Sequence, residues 1–361
     1  MILQAALPSL YEPWLRIIAG GPIPQEPNAT CDRCAMLPSP GGASDASYFH
    51  PSTKCCVSPP DLPNFLAGRI LSEPDPSMTE GRKAVEARIS RRVAVKPSRV
   101  DSGQVLSLLY RATPSAFGRA PALRCYYLNS EAECGIWKHR PGVCATWYCK
   151  HVRGATASRF WGLAHKLLHE VEQDLAYWCM AQLQVGSSEV GEIAASPRPH
   201  VSELEGEIDR VQYRKLWGHW CGREIEFYQA CARLVESLTW WQVEERCGPR
   251  VGILSGLVRD AYTHLASSAM PERLRMKQVC FTGFREGNYK VTTYSEYDPL
   301  LMSERLVPVL KYFDGRPTDE ALHAIFVEQG VHLDSSLVRR LVDFEILEAC
   351  DAEPNLFPIV S

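Results

Sequence analysis

Fourteen cysteines are the feature of this 361-residue chain that most limits how it can fold. Eight lie among the first 149 residues, and the other six are scattered singly along the rest. The start, MILQAALPSLYEPWLRIIAG, lacks the cationic leader and small-residue cleavage site of a secretory signal, so we expect a cytoplasmic protein with reduced thiols. Metal ligation or redox chemistry therefore explains the cysteines better than a disulfide framework.

The eight early cysteines have a spacing that is typical of metal ligands. Cys31 and Cys34 are separated by two residues, which lets two thiolates bind one metal from a single turn. The adjacent Cys55 and Cys56 follow, and the segment CYYLNSEAECGIWKHRPGVCATWYC adds four more. Nearby lysines and arginines favour the thiolate form. The predicted metal ligands are Cys31, Cys34, Cys55, Cys56, Cys125, Cys134, Cys144 and Cys149.

Two kinds of metal centre fit these thiols. Zinc and a [4Fe-4S] cluster each take four thiolates. Adjacent cysteines such as Cys55 and Cys56 rarely bind one zinc together, which favours an iron-sulfur cluster, with zinc as the alternative. A third hypothesis is a thiol-disulfide redox protein, which needs one cysteine pair with a depressed pKa.

Part of the cysteine-rich segment resembles a known family. Cys125-Tyr-Tyr-Leu-Asn, Cys134-Gly-Ile-Trp and Arg140-Pro-Gly-Val-Cys144 are similar to the signature of the YkgJ-type cysteine-cluster family, described as zinc- or iron-chelating. The resemblance covers about 120 residues and matches the four earlier cysteines to the family's first cysteine group. Here twenty residues separate that group's two halves, whereas the family is compact. The resemblance implies a metal site and leaves the reaction open.

Three regions follow one another along the chain. Residues 1–156 are rich in Pro and Gly and predict an irregular cysteine-cluster domain that is stapled by metal. Residues 157–270 predict a helical bundle. Residues 271–361 predict a β-hairpin followed by a winged-helix-like module. The predicted fold class is mainly α, with a smaller β component (α+β).

Apolar periodicity places the helices of the middle region. We expect helices over about 157–184, 203–241 and 251–269. The first of them carries a buried stripe at three-and-four spacing, formed by Phe160, Ala164, Leu167, Leu168, Val171, Leu175 and Trp178.

The C-terminal region combines a hairpin with three short helices. Arg-Glu-Gly-Asn at 285–288 predicts the hairpin turn. The helices are expected at 304–313, 318–328 and 335–344, and Thr318 and Asp334 are the candidate caps of the last two.

This outline is similar to PqqD-like winged-helix modules over about 80 residues. Such modules often bind the leader of a peptide substrate, so the resemblance implies a peptide or protein partner. From Ser303 to the end, five basic residues face eleven acidic ones, which opposes binding to nucleic acid.

The sequence thus predicts a cytoplasmic metalloprotein with an N-terminal iron-sulfur cluster, acting in the modification of a docked peptide or protein. The alternative is a non-enzymatic, zinc-stapled interaction protein. The net charge of -3 and the lack of a long apolar run argue against nucleic-acid and membrane partners.

Histidines offer weaker candidate ligands. His165 and His169 lie one helical turn apart, and Glu172 follows His169 by three residues, a spacing that could bind a metal from one helix face. The simpler interpretation is that these side chains lie at the edge of the buried face of the helix. Histidines beside the cysteines could also replace a thiol, namely His50, His139 and His151. No catalytic residue is predicted.

Overall fold

The computed structural model describes residues 7–37, 48–185 and 208–350. This part of the chain is mainly helical with small antiparallel sheets, which confirms the predicted fold class at that level. Within it, no helix has both the length and the apolar composition needed to cross a membrane. The α-helices are α1 (Tyr11–Ala19), α2 (Asn64–Ser72), α3 (Thr79–Arg91), α4 (Gln104–Ala112), α5 (Gly142–Ala145), α6 (Gly154–Gln182), α7 (Arg210–Trp217), α8 (Glu224–Glu236), α9 (Trp240–Cys247), α10 (Pro249–Ala266), α11 (Thr318–Gln329) and α12 (Ser335–Asp343).

Short 3-10 helices and strands complete the secondary structure. The 3-10 helices are Pro76–Met78, Pro114–Ala116, Pro121–Leu123, Trp137–His139, Gly218–Trp220 and Glu304–Tyr312. The strands are β1 (Leu62–Pro63), β2 (Val95–Lys96), β3 (Arg99–Val100), β4 (Arg273–Met276), β5 (Cys280–Arg285), β6 (Asn288–Thr292), β7 (Leu300–Ser303), β8 (Asp314–Pro317) and β9 (Leu347–Ala349). They form three three-stranded antiparallel sheets, in the orders β1-β3-β2, β8-β4-β9 and β5-β6-β7.

The chain divides into two compact units. The first comprises Met1–Trp147 and Trp161–Asp260, and the second comprises Tyr148–Phe160 and Ala261–Ser361. The predicted division into three regions stays a prediction.

Helix α2 packs closely against helix α8 in the first unit. A Cβ atom at Gly68 of α2 would collide with the backbone carbonyl of Tyr228 of α8, so only glycine allows this approach. Tyr228 is fully buried, and its hydroxyl donates a 2.7 Å hydrogen bond to the carbonyl of Lys96 in strand β2. This packing fixes the sheet β1-β3-β2 beside the two helices.

The helical middle of the chain agrees only partly with its prediction. Helix α6 spans the expected range, and its apolar stripe is fully buried except for the half-buried Trp178. The single helix expected over 203–241 is wrong, because α7, a 3-10 turn, α8 and the start of α9 occupy 210–241. Gly218 and Gly222 adopt positive φ angles of 52° and 90°, which interrupts the helical path. Residues 203–207 lie outside the described ranges.

The second unit contains the predicted hairpin. Strands β5 and β6 are joined at Glu286 and Gly287, both with positive φ, as a tight hairpin turn requires. Helical segments follow at the three expected places, although the first is a 3-10 helix that contains Pro308. Asp334 caps α12 by accepting a 2.8 Å hydrogen bond from the N–H of Leu337. Thr318 is not a cap, because it is the first residue of α11 and its hydroxyl donates to the carbonyl of Pro271.

Candidate metal centre

Backbone contacts bring separate cysteine loops of the first unit together. The ammonium of Lys54 donates a 2.8 Å hydrogen bond to the carbonyl of Cys31, which ties the first cysteine pair to the second. The N–H of Cys125 donates a 2.9 Å bond to the carbonyl of Cys56. An isolated antiparallel bridge between Leu128 and Cys134 joins the next loop. Segments more than ninety residues apart in sequence, such as those of Cys31 and Cys125, therefore meet at one place.

The short helix α5 carries Cys144, which lies near the other cysteine loops. Its first residue, Gly142, packs against Leu168 of α6, where a Cβ atom would lie 2.8 Å from the Leu168 Cβ. The N–H of Gly142 also donates a 2.6 Å hydrogen bond to the buried carboxyl of Glu172 on α6. Helix α6 thus fixes the loop that carries Cys144.

Electrostatic coupling between the thiols indicates that seven of the eight predicted ligands lie close together. Each of these thiols has a pKa that is changed by at least one other member of the set, and charge on Cys56 raises the pKa of all the others. The set consists of Cys31, Cys34, Cys55, Cys56, Cys125, Cys134 and Cys144, and we call it the thiol cluster.

Burial is the main reason that most of these pKa values rise. Desolvation raises the pKa of Cys31 to about 11 and that of Cys134 to about 12, and charge on Cys56 adds to both. Cys31 and Cys144 are exposed when the whole residue is considered. Desolvation of the thiol is still the largest cause of the raised pKa of each. Without a compensating cation these thiols stay protonated at neutral pH.

The adjacent pair Cys55 and Cys56 behaves differently from the other thiols. A hydrogen bond between the two side chains raises the pKa of Cys55 and lowers that of Cys56. Lys54 and Arg140 lower the pKa of Cys56 further. Cys56 is therefore the member of the thiol cluster that loses its proton most readily.

Arg140 is positioned to stabilise negative charge on the thiol cluster. Its guanidinium lies 3.6 Å from the centre of the Trp137 ring and donates a 2.8 Å hydrogen bond to the Trp137 carbonyl. It lowers the pKa of Cys31, Cys56 and Cys134 among others. Lys54 acts in the same direction on Cys56, whereas Lys138 contacts Asp75 instead.

The histidines beside the cysteines have hydrogen-bonding partners outside the thiol cluster. His139 Nε2 lies 2.8 Å from the carboxylate of Glu73, and His50 Nδ1 lies 2.8 Å from the hydroxyl of Ser52. His151 belongs to the second unit, where its Nδ1 lies 3.3 Å from the hydroxyl of Tyr294. The remaining predicted ligand, Cys149, is buried and also belongs to the second unit, so its role stays a prediction.

The thiol cluster offers the donor atoms that a thiophilic metal takes, without the geometry of a bound metal. All fourteen cysteines lie in the described ranges and none forms a disulfide there. Among the described residues, no three His, Cys, Asp or Glu side chains stand in the arrangement that a bound metal ion requires. The seven thiols share one region with raised pKa values, and metal charge is what converts such thiols to thiolates.

The role of Glu172 could not be predicted from the sequence. Its spacing from His165 and His169 is compatible with a metal ligand. In the structure its carboxyl instead accepts hydrogen bonds from the N–H of Gly142 and the hydroxyl of Tyr11. These partners are 30 and 161 residues away, and no local pattern indicates such contacts.

Comparisons with known proteins do not assign this site. No protein-family model matches the chain, and neither the curated proteins nor the solved structures include a match.

Proposed function

We propose that this protein is a cytoplasmic metalloprotein that holds an iron-sulfur cluster through the thiol cluster. The observation that carries the proposal is the convergence of seven desolvated thiols from five loop segments on one region. Concentrating that many thiols in a buried place is unfavourable unless a cation offsets their charge. A reducing compartment such as the cytoplasm keeps them available.

The adjacent pair Cys55 and Cys56 favours a polynuclear centre, because neighbouring cysteines rarely bind one zinc ion together. One zinc ion or one [4Fe-4S] cluster takes four thiolates, so not all seven thiols are needed as ligands of a single centre. Cys56, with the lowered pKa, is the first expected ligand, and Lys54 and Arg140 would offset the anionic charge of the loaded site. When bound, an iron-sulfur cluster supplies one-electron redox chemistry. The chain's own contribution is to desolvate the thiols and to hold cations beside them.

The second unit supports a docking role for a peptide or protein. Strand β5 is one of the two outer strands of its sheet, and all of its residues are exposed, including Phe281 and Phe284. An exposed strand edge with apolar side chains can pair with an extended peptide. A redox centre and a peptide-docking module in one chain would suit a peptide-modifying reaction.

A zinc-stapled interaction protein is the second candidate. The loops that carry the thiol cluster contain little regular structure beyond 3-10 turns and the short α5. Loops of this kind need an external staple, and zinc supplies one without redox chemistry.

Metal and sulfide analysis of the full chain separates the two candidates. The protein is purified anaerobically without a metal-binding tag, and its visible absorption, iron, zinc and acid-labile sulfide are measured per chain. We expect broad charge-transfer absorption with matching iron and sulfide. Zinc without colour or sulfide would replace the cluster proposal with the zinc one.

Cysteine variants test whether the thiol cluster is the binding site. We expect the double variant Cys55→Ser/Cys56→Ser and the single variant Cys134→Ser to lose most of the bound metal. Cys280→Ser, at an exposed thiol on β5, is the matched control and is expected to keep it. Equal metal content in all four proteins would contradict the proposed ligands.

Alkylation tests the thiol-disulfide hypothesis separately. The free thiols are counted with and without reductant, and two thiols that become reactive only after reduction would indicate a redox disulfide instead of a metal site.

A further inference from the structure

An open cavity of about 440 Å³ lies in the first unit beside helices α1 and α2 and the loop that joins α8 to α9. Its volume falls within the range of about 300 to 1,000 Å³ that is typical of small-molecule sites. None of the described cysteines lines it, so the cavity is separate from the proposed metal site.

Accessible apolar side chains form one wall of this cavity. Pro13 and Ile17 are exposed one turn apart on α1, and the half-buried Leu238 lines the same cavity. Trp14 and Trp240 lie behind this wall, at most 3% exposed, with their ring centres 6.3 Å apart. The Trp14 Nε1–H is engaged as well, since it donates a 3.3 Å hydrogen bond to the Leu238 carbonyl. The wall therefore offers apolar surface on a packed aromatic support.

Arg69 of α2 brings a positive charge to the cavity. Its Nη2 donates a 3.3 Å hydrogen bond to the hydroxyl of Ser9, an exposed residue that also lines the cavity, so the guanidinium end reaches the lining. Its Nε donates a 3.4 Å bond to His139 Nδ1. The third nitrogen, Nη1, makes no hydrogen bond to a described residue and is not shielded from solvent. Nη1 is therefore the donor that a ligand can reach.

The charge of Arg69 is not neutralised by an ion pair with any described carboxylate. Glu73 lies on the far side of the His139 ring, 2.8 Å from Nε2. Glu236 is the one carboxylate among the described residues of the lining, and it is exposed at the end of α8. A half-buried guanidinium without a carboxylate partner favours an anion, and a carboxylate matches its donor geometry. Glu236 opposes a dianion such as a phosphate ester, so a monoanion suits the lining better.

We propose that this cavity binds a monocarboxylate that carries an apolar group. The carboxylate accepts from Arg69 Nη1, and the apolar group covers Pro13, Ile17 and Leu238. A small free carboxylic acid and the free C-terminus of a peptide share this chemistry. The proposal depends neither on the metal nor on the docking role of β5.

Binding is measured on the purified full-length protein from the ¹⁹F signal of a fluorinated probe. The probe is 4-fluorophenylacetate, and its uncharged, cationic and dianionic counterparts are 4-fluorophenylacetamide, 4-fluorophenethylamine and 4-fluorophenyl phosphate. We expect the carboxylate to bind at least about fivefold more tightly than each counterpart. A counterpart that binds as tightly as the carboxylate, or a carboxylate that does not bind, would overturn the proposal.

Variants assign the binding to this cavity. Arg69→Gln removes the guanidinium and is expected to abolish the preference for the carboxylate over the amide. Ile17→Glu adds a negative charge at an exposed position of the lining, where the fold tolerates it, and we expect about fivefold weaker binding of the carboxylate with little change for the amide. Arg16→Gln, at an exposed arginine outside the lining, is the control and is expected to leave both unchanged. Unchanged carboxylate binding in Ile17→Glu would contradict the assigned site even if Arg69→Gln fails to fold.

A further probe distinguishes the two sources of the carboxylate. N-acetyl-4-fluorophenylalanine carries the amide that precedes the C-terminal carboxylate of a peptide. Tighter binding of this probe than of 4-fluorophenylacetate indicates a peptide C-terminus, and weaker binding indicates a free acid, each supporting the proposed chemistry.

Discussion

Burial opposes the ionisation of the Glu172 carboxyl. Desolvation raises the pKa of its carboxyl to about 7, although hydrogen bonds from Tyr11 and Gly142 act in the other direction. The side chain is buried where α6 meets the loop of Cys144. Its charge is therefore unfavourable in the folded state, while its hydrogen bonds hold that loop in place.

The raised pKa of the Glu172 carboxyl predicts that the folded state loses stability as the pH rises. Its folded pKa of about 7 lies above the ordinary value of 4.5, so its contribution is fully present below about pH 4.5 and is lost as the pH approaches about 7. The loss is at most about 3 kcal/mol in the free energy of unfolding. In Glu172→Gln, which keeps an oxygen acceptor and cannot titrate, we expect this component to disappear. Urea unfolding at a series of pH values measures the difference.

A control separates titration from the substitution itself. Glu226→Gln changes an exposed carboxyl on α8 that is paired with Arg223. Its unfolding profile against pH is expected to follow that of the wild type. If the profiles of Glu172→Gln and the wild type run parallel, the assigned role of Glu172 is wrong.

At the scale of elements, close backbone approaches position the thiol cluster. Gly81 of α3 lies so near Gly135 that a Cβ atom would collide with the Gly135 carbonyl. Gly135 follows Cys134, so α3 acts as the support for that thiol. Neither glycine is marked by a sequence motif, because the contact joins segments more than fifty residues apart.

The Gly81 contact predicts that a single added methyl group disturbs metal binding. We expect Gly81→Ala to lower the free energy of unfolding by about 1 to 3 kcal/mol and to reduce the metal content, because the Cys134 loop must move. The control is Gly256→Ala on α10, where a Cβ atom meets nothing within 4 Å. That variant is expected to gain about 0.5 to 1 kcal/mol with unchanged metal. Denaturant titration and metal analysis decide, and unchanged metal in Gly81→Ala would contradict the positioning role.

The cap at Asp334 predicts that two substitutions there lower the stability by different amounts. Asp334→Ala removes the acceptor for the N–H of Leu337, and we expect a loss of about 1 kcal/mol from the free energy of unfolding. Asp334→Asn keeps an acceptor and is expected to lose much less. Thermal unfolding compares the two, and equal losses would show that the cap is not the cause.

At the scale of the whole molecule, the two units differ in the probes they contain. All nine tryptophans lie in the first unit, together with the thiol cluster. Tryptophan fluorescence therefore follows the unfolding of the first unit alone. Hydrogen exchange of peptides from residues 273–349 follows the second unit.

Metal removal is predicted to act on the first unit selectively. A metal present at about 1,000 times its Kd stabilises the folded state by about 4 kcal/mol, and chelation removes that contribution. We expect a strong chelator to lower the fluorescence-detected Tm while exchange in residues 273–349 stays the same. A fluorescence Tm that does not respond, with metal shown to be removed, would mean that the metal is not coupled to the fold of this unit.

Local features of this protein were determined by its sequence. The buried stripe of α6, the turn at 285–288 and the cap at Asp334 depend on residues at most a few positions apart, where spacing and side-chain chemistry suffice. The types of residue at the proposed metal site were equally visible, because cysteine pairs and neighbouring cations stand next to each other in the chain.

Only the tertiary structure decided which of those groups meet. It brought Cys31 and Cys125 together, engaged His139 with Glu73 and turned Glu172 into a support for the Cys144 loop. It also broke the helix expected over 203–241. Contacts between distant segments depend on the sum of packing over the whole unit and on the entropy of closing each loop, which no local pattern records.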